Sequence, residues 1–131
     1  MPNPKLADSL GNLGRALERL REGLESPEPP PLVVDGTIQR FEFVVELFWK
    51  TLKRALAAEG IETTTPREAL QKAYQAGWLE DEKTWLSALQ DRNETSHLYD
   101  EAVARAIYLR LRTYWPEFHR CHAFLIKRFG D

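Results

Sequence analysis

The leucines of the first 24 residues recur at alternating spacings of four and three positions. An α-helix has about 3.6 residues per turn, so this spacing places the leucines on one stripe along a helix. Asn3 and Pro4 suit its N-cap and first turn, and the proline-rich segment 26–31 ends it, because proline cannot donate the helical hydrogen bond. Such a stripe needs other apolar faces to cover it. The stripe consists of Leu6, Leu10, Leu13, Leu17, Leu20 and Leu24.

Further segments carry the same helical pattern. A capping sequence starts one of them, because Thr65 can cap a helix that Pro66 opens, and Glu68 completes a capping box. No stretch alternates with a period of two for long enough to indicate a strand. The predicted segments are a second helix from near 35 to 58, a third over 65–77, a fourth over about 81–92, and a fifth over about 100–114, after which Pro116 starts or kinks a last segment.

The fold class predicted from this pattern is all-α. Long helices joined by short links favour an antiparallel up-and-down bundle, here of four to five main helices. A chain of 131 residues fits one domain, so we expect a single helical domain over residues 1–131.

Composition excludes several classes of protein. The formal net charge is -2, so no overall charge draws the chain to nucleic acid or to an anionic membrane, although residues 100–131 are mildly basic, with 6 Lys and Arg against 4 Asp and Glu. A single cysteine, Cys121, cannot form an intrachain disulfide and fits a reducing compartment. No apolar run reaches the ~18 residues of a membrane span. We expect a cytoplasmic protein without membrane contact.

Residues 91–102, DRNETSHLYDEA, interrupt the helical pattern. In one continuous helix Arg92 and His97 would lie five residues apart and diverge by ~140° around the axis. Asn93, Thr95 and Ser96 all favour turns and caps over helix interiors, so they predict a break between the two residues. Arg92 then closes one helix, while His97 and Tyr99 lie at the start of the next.

An arginine, an amide, a histidine and a phenol gathered at a helix break are typical of phosphate chemistry. His97 could take a proton from a ribose 2′-hydroxyl, and the Arg92 fork could hold the phosphate oxygens as negative charge develops. No metal or other cofactor would be needed. Alternatively, Arg92 could form a surface ion pair worth ~0–1 kcal/mol with a neighbouring acid. The acidic neighbours, which oppose RNA binding, are Asp91, Glu94, Asp100 and Glu101.

The stretch RNETSHLYDE closely resembles the signature of the HEPN superfamily, an arginine followed after four to six residues by a histidine. It is most similar to the branch of nucleotidyltransferase substrate-binding proteins, whose motif arginine precedes an asparagine and whose histidine precedes a tyrosine by two residues. Arg92, Asn93, His97 and Tyr99 match these positions. Residues 38–56 and 66–81 also resemble this branch, and the resemblance extends over most of the chain, from about residue 6 to residue 115.

The resemblance implies a HEPN-like helical bundle that forms a homodimer, with two copies of the motif facing each other. It also implies a partner, a minimal nucleotidyltransferase encoded nearby, as in a toxin–antitoxin pair. In related branches the HEPN protein is a metal-independent ribonuclease that its partner silences by transferring AMP to the motif tyrosine. The catalytic residues expected on this basis are Arg92, His97 and Asn93, and the AMP acceptor is Tyr99.

Two functions follow from the sequence and stay open. One is an endoribonuclease toxin acting on RNA, and the other is a non-catalytic nucleotide-binding or substrate-binding subunit of a nucleotidyltransferase. Lys50, Lys53 and Arg54 form a basic cluster that could guide phosphate or could simply be a solvated helix face.

Other residue groups predict structure more than chemistry. His119 and His122 lie on one helix with Cys121 between them, but Cys121 falls on another face, so we expect no metal site there. The four tryptophans lie in or beside apolar helical positions, which favours packing over base stacking.

Overall fold

The chain folds into five α-helices and no strand within the residues that the computed structural model describes, 3–94 and 100–130. The all-α prediction is therefore confirmed. None of these helices combines the length and apolarity needed to cross a membrane. The helices are α1 Pro4–Gly23, α2 Pro31–Ala58, α3 Pro66–Gln75, α4 Glu82–Asn93 and α5 Glu101–Phe129.

The four long helices form an up-and-down bundle. The start of α1 meets the C-terminal half of α5, where His122 Nε2 lies 3.0 Å from the Leu10 carbonyl, so these two helices are antiparallel. Helix α4 is also antiparallel to α5, because Ser87 and Asp91 contact α5 in reverse order along the chain. Helix α2 runs in the same direction as α5 and packs against it, while the short α3 covers α2 and α4.

Phe118 lies at the centre of the core. Its ring packs against aromatic rings of α2 and α4, with a ring-centroid distance of 5.6 Å to Phe48 and 5.0 Å to Trp85. Five of the six leucines of the predicted stripe are buried, and Leu24 is partly buried. Trp78 and Trp85 are buried, while Trp49 and Trp115 are partly buried and pack against the core. All four tryptophans therefore contribute to packing.

Several helix ends follow the signals in the sequence. The Asn3 side chain accepts a hydrogen bond from the Leu6 amide at 3.1 Å, as expected for an N-cap. Thr65 Oγ1 accepts from the Glu68 amide, and the Glu68 carboxylate accepts from the amide of Thr64, one residue before the expected partner.

Two boundaries differ from the sequence prediction. Helix α2 begins at Pro31, four residues before Asp35, because the last proline of the segment 26–31 occupies the first helical turn, where its missing N–H removes no hydrogen bond. Pro116 does not start a new helix, since α5 is continuous from Glu101 to Phe129. An interior proline costs a helix about 3 kcal/mol, and the buried neighbours Tyr114 and Phe118 offset this cost through packing.

Candidate functional site

Arg92 and Asn93 occupy the last turn of α4. The helix ends at Asn93, with Glu94 as its C-cap, and α5 starts at Glu101 behind the N-cap Asp100. The predicted helix break after Arg92 is thereby confirmed. His97 and Tyr99, which the sequence places in the same site, lie outside the described residues.

Asp91 fixes the end of α4 to α5. The side chain is buried, at 8% relative exposure, and accepts hydrogen bonds from Nε and Nη2 of Arg110, both at 2.8 Å. The Tyr114 hydroxyl donates to the same carboxylate at 2.5 Å and also pairs with Ser87 Oγ of α4 at 2.8 Å. A two-pronged arginine contact fixes orientation as well as distance. The backbone that carries Arg92 is therefore held against α5 by its immediate neighbour.

Arg110 and Tyr114 keep the protonation states in which they donate hydrogen bonds to Asp91. The hydrogen bond with Asp91 raises the pKa of the Arg110 guanidinium, so it remains a cation. Burial, together with the Asp91 carboxylate, raises the pKa of the Tyr114 phenol. The hydroxyl therefore stays protonated and remains a donor at neutral pH.

A second carboxylate anchors the other end of α4. Glu117, in α5, accepts a hydrogen bond from Trp85 Nε1 at 2.8 Å and one from the backbone amide of Glu80 at 3.1 Å. Arg120 holds both carboxylate oxygens of Glu117. Burial acts to raise the pKa of Glu117, but these hydrogen bonds outweigh burial and lower it. Helix α4 is thus attached to α5 near its first turn and near its last.

Glu46 of α2 positions the Arg92 side chain. Its Oε2 accepts a hydrogen bond from Arg92 Nη2 at 2.8 Å, and Arg92 Nη1 lies 3.5 Å from Oδ1 of Asn93. Both Glu46 and Arg92 are only partly exposed, with 36% and 38% of their side chains accessible. A partly exposed ion pair is worth ~0–1 kcal/mol, so a phosphate that binds Arg92 can compete with Glu46.

The three residues of the basic cluster of α2 have different neighbours. Lys50 Nζ lies 3.6 Å from Glu46, the same acid that holds Arg92, so this lysine lies beside the motif arginine. Arg54 instead donates to Ser9 Oγ of α1 at 3.0 Å. Lys53 is exposed. The structure therefore brings Lys50, and not Arg54, to the motif.

Sequence reasoning missed the residues that hold the site together. The sequence places Asp91 among the acidic neighbours that oppose RNA binding, whereas its side chain is buried and its charge is paired with that of Arg110. The four-residue spacing of Arg110 and Tyr114 places both on one face of α5, and this spacing was the available signal. Glu46 gave only the weak signal of an acid four residues before Lys50.

The two histidines of α5 contact other residues of the bundle. The His119 ring lies 5.6 Å from the ring of Trp115, and His122 contacts the Leu10 carbonyl of α1. Cys121 is buried between the helices, and burial raises its pKa to about 12. Within the described ranges, no cluster of histidine, cysteine and acidic side chains could hold a metal ion.

Comparison with known proteins identifies the family. Residues 8–127 match the family model described as "Nucleotidyltransferase substrate binding protein like". The chain belongs to this family. This agrees with the resemblance to the nucleotidyltransferase substrate-binding branch of the HEPN superfamily that the motif around Arg92 indicated.

Solved structures of two other proteins are similar to this one. A crystal structure from Thermus thermophilus has a TM-score of 0.83 and 35% sequence identity, over 86% of this chain and 98% of that one. A Haemophilus influenzae structure, described as the fold of a substrate-binding domain of a nucleotidyltransferase, has a TM-score of 0.69 and 27% identity, over 93% of this chain and 97% of that one.

One protein of similar sequence has a name that refers to an enzymatic activity. It is the probable ribonuclease HepT of Haemophilus influenzae, which is 36% identical over 84 residues. The alignment covers 60% of this chain and 58% of the relative, so it spans less than two thirds of the relative's length.

We predict that the charge of Asp91 stabilises the end of α4. Asp91→Asn removes the charge that Arg110 and Tyr114 share, and we expect the free energy of unfolding to fall by about 1–3 kcal/mol, as for hydrogen bonds to charged groups. Chemical denaturation measures this loss, and hydrogen exchange should show faster opening of residues 89–94. Asp8→Asn is the matched control, since Asp8 is an exposed acid of α1. Equal stability of the two variants would contradict the anchoring role of Asp91.

Proposed function

We propose that this protein is the HEPN partner of a minimal nucleotidyltransferase and that it is a metal-independent endoribonuclease. In this proposal His97 is the general base, Arg92 stabilises the phosphate and Asn93 orients the substrate. Tyr99 is the residue at which the nucleotidyltransferase silences the enzyme. The protein works as a homodimer, in which the two copies of the motif face each other.

The fixed position of Arg92 is the observation that carries the proposal. Asp91 holds the backbone at the end of α4, and Glu46 holds the guanidinium at 2.8 Å. Catalysis of phosphate chemistry without a metal depends on a cation that is already in place when charge develops. The end of α4 at Asn93 also meets a requirement of the motif, because Arg92 and His97 would diverge by ~140° in one continuous helix. The relative named as a probable ribonuclease supports the same activity. Family membership supports the partnership with a nucleotidyltransferase.

The proposed reaction cuts RNA at a phosphodiester bond. His97 takes the proton of a ribose 2′-hydroxyl, and the 2′-oxygen forms a bond to the adjacent phosphorus. The bond from phosphorus to the 5′-oxygen of the next nucleotide breaks, and that oxygen takes up a proton. Arg92 holds the non-bridging oxygens while their negative charge increases. The products are a 2′,3′-cyclic phosphate and a 5′-hydroxyl.

Silencing by the nucleotidyltransferase acts two residues from His97. The Tyr99 phenol oxygen attacks the α-phosphorus of ATP, pyrophosphate leaves, and the phenol proton passes to solvent. The AMP that remains adds negative charge and bulk where an RNA phosphate must bind.

Lys50, which lies beside Arg92, would guide phosphate toward the motif, and Lys53 extends this positive surface along α2. Arg54 contributes less, because its side chain contacts Ser9.

The same geometry also supports a second function, a non-catalytic subunit that binds a nucleotide or substrate for the nucleotidyltransferase. The observation in its favour is the ion pair itself, since a carboxylate already occupies the Arg92 guanidinium. The acids Glu94, Asp100 and Glu101 are exposed close to the motif in sequence. A subunit of this kind binds its partner stably and leaves RNA intact.

Cleavage of single-stranded RNA in the presence of a chelator separates the two functions. We expect the wild-type protein to cut, His97→Ala to lose about 10²–10⁴-fold in rate as a general base is removed, and Arg92→Ala to lose about 10²–10³-fold. Arg15→Ala is the matched control, because Arg15 lies on α1 and its hydrogen bond is to Asn12 of the same helix. Intact RNA with the wild-type protein, or equal cutting by His97→Ala, would overturn the ribonuclease assignment.

The acceptor role of Tyr99 is tested with the nucleotidyltransferase encoded by the neighbouring reading frame and ATP. We expect intact-mass spectrometry to show added AMP on the wild-type chain and none on Tyr99→Phe. Tyr74→Phe is the control, because Tyr74 is an exposed tyrosine of α3. AMP addition to Tyr99→Phe at the wild-type level, or full cleavage by the modified protein, would show that silencing does not act through this residue.

A further inference from the structure

A groove on the outer side of α3 and α4 ends at the motif. It has a volume of about 610 Å³, within the usual range of ligand sites, and Asn93 lies at the end of α4 that borders it. The groove starts at the first turns of α3 and α4 and follows α4 to its last residue. Its lining residues are Arg67, Glu82, Lys83, Leu86, Ser87, Leu89, Gln90 and Asn93.

The charge of the groove is positive although the chain as a whole is acidic. Arg67 and Lys83 contribute two cations, and Glu82 contributes one acid. Neither cation forms an ion pair or a side-chain hydrogen bond with any residue in the described ranges. Asp81, two residues before Lys83, is engaged in capping α4, where it accepts from the Lys83 amide and the Thr84 hydroxyl. The two cations are therefore available to an anionic ligand.

The rest of the lining suits a nucleotide chain. Gln90 and Asn93 offer amide groups that can donate to phosphate, sugar or base edges. Leu86 and Leu89 are only partly buried, so each presents apolar surface to the groove. Unpaired bases expose flat apolar faces, whereas the bases of a duplex are stacked on one another. This mixture favours a single strand over a duplex.

The length of the groove matches a short oligonucleotide. Lys83 and Asn93 are ten residues apart on α4, which corresponds to ~15 Å along a helix axis. At ~3.4 Å per stacked nucleotide this distance spans about four nucleotides. The far end lies at the residue that directly follows Arg92 in the chain.

We propose that this groove binds the single-stranded RNA substrate on one side of the cleavage site, with Arg67 and Lys83 holding phosphates about three to four nucleotides from the scissile bond. The proposal rests on the ribonuclease function proposed above. It assigns substrate positioning to α3 and α4, outside the signature motif, and it explains how a chain of negative net charge can bind an anionic polymer.

Binding of RNA without cleavage tests this groove. The His97→Ala protein is titrated into a fluorescein-labelled single-stranded RNA of eight nucleotides, with chelator present, and anisotropy gives the dissociation constant. Charge reversal by Arg67→Glu with Lys83→Glu should weaken binding at least tenfold. It should also reduce the slope of log Kd against log salt by about 1.4, since each phosphate contact with a single strand contributes ~0.7.

The control variants keep folding and net charge matched. Arg67 and Lys83 each occupy the second position of their helix, where glutamate is favourable next to the helix N-terminus, so the double variant should fold. Lys5→Glu with Arg15→Glu changes the net charge equally on α1, and we expect its affinity to stay within threefold of the parent. Arg67→Lys with Lys83→Arg keeps both charges and should keep the affinity.

Each result decides a separate point. If the groove variant and the α1 control weaken binding equally, the groove is not an RNA site, although the ribonuclease function stands. If the groove variant keeps RNA affinity but loses association with the nucleotidyltransferase, the surface is a protein contact and the inference is wrong. If the His97→Ala parent binds no RNA while wild type also leaves RNA intact, the proposed function fails together with the groove.

Discussion

The buried carboxylate of Asp91 is the constraint on which the candidate site depends. A buried carboxylate is stable in a helical core only when its charge is matched, and Arg110 and Tyr114 together donate three hydrogen bonds to it. Because Asp91 directly precedes Arg92, the same contacts determine where the motif arginine leaves the bundle. The helix can therefore end at Asn93 without losing the position of its last turn.

Helical patterning predicted most of the fold. Periodic leucines, the caps at Asn3 and Thr65, and a break after Arg92 are local signals, and each depends only on residues within a few positions. The predicted start of α2 is wrong, and so is a new helix that starts at Pro116, because both predictions treat a proline as a break. At Pro31 the proline opens a helix, and at Pro116 tertiary packing on both sides outweighs the lost hydrogen bond.

The candidate site was only partly predictable for a related reason. Arg92 and Asn93 could be found from their spacing and neighbours, but Glu46 is 46 residues away and reaches Arg92 only through the packing of α2 against α4. The sequence also overstates the local negative charge, since Asp91 is buried in the bundle and paired with Arg110. Contacts between distant segments are the part of a site that a helical pattern does not encode.

The weak ion pair of Glu46 with Arg92 keeps the guanidinium in place and still lets a phosphate compete for it. In the proposed reaction, a histidine base and this arginine act on attack by the 2′-oxygen of the RNA itself. End-group analysis of cleaved RNA by mass spectrometry therefore tests the central claim most directly. The account predicts fragments with a 2′,3′-cyclic phosphate and a 5′-hydroxyl, formed by the wild-type protein in the presence of chelator. Fragments with a 3′-hydroxyl and a 5′-phosphate would contradict it, because they require attack by water at phosphorus.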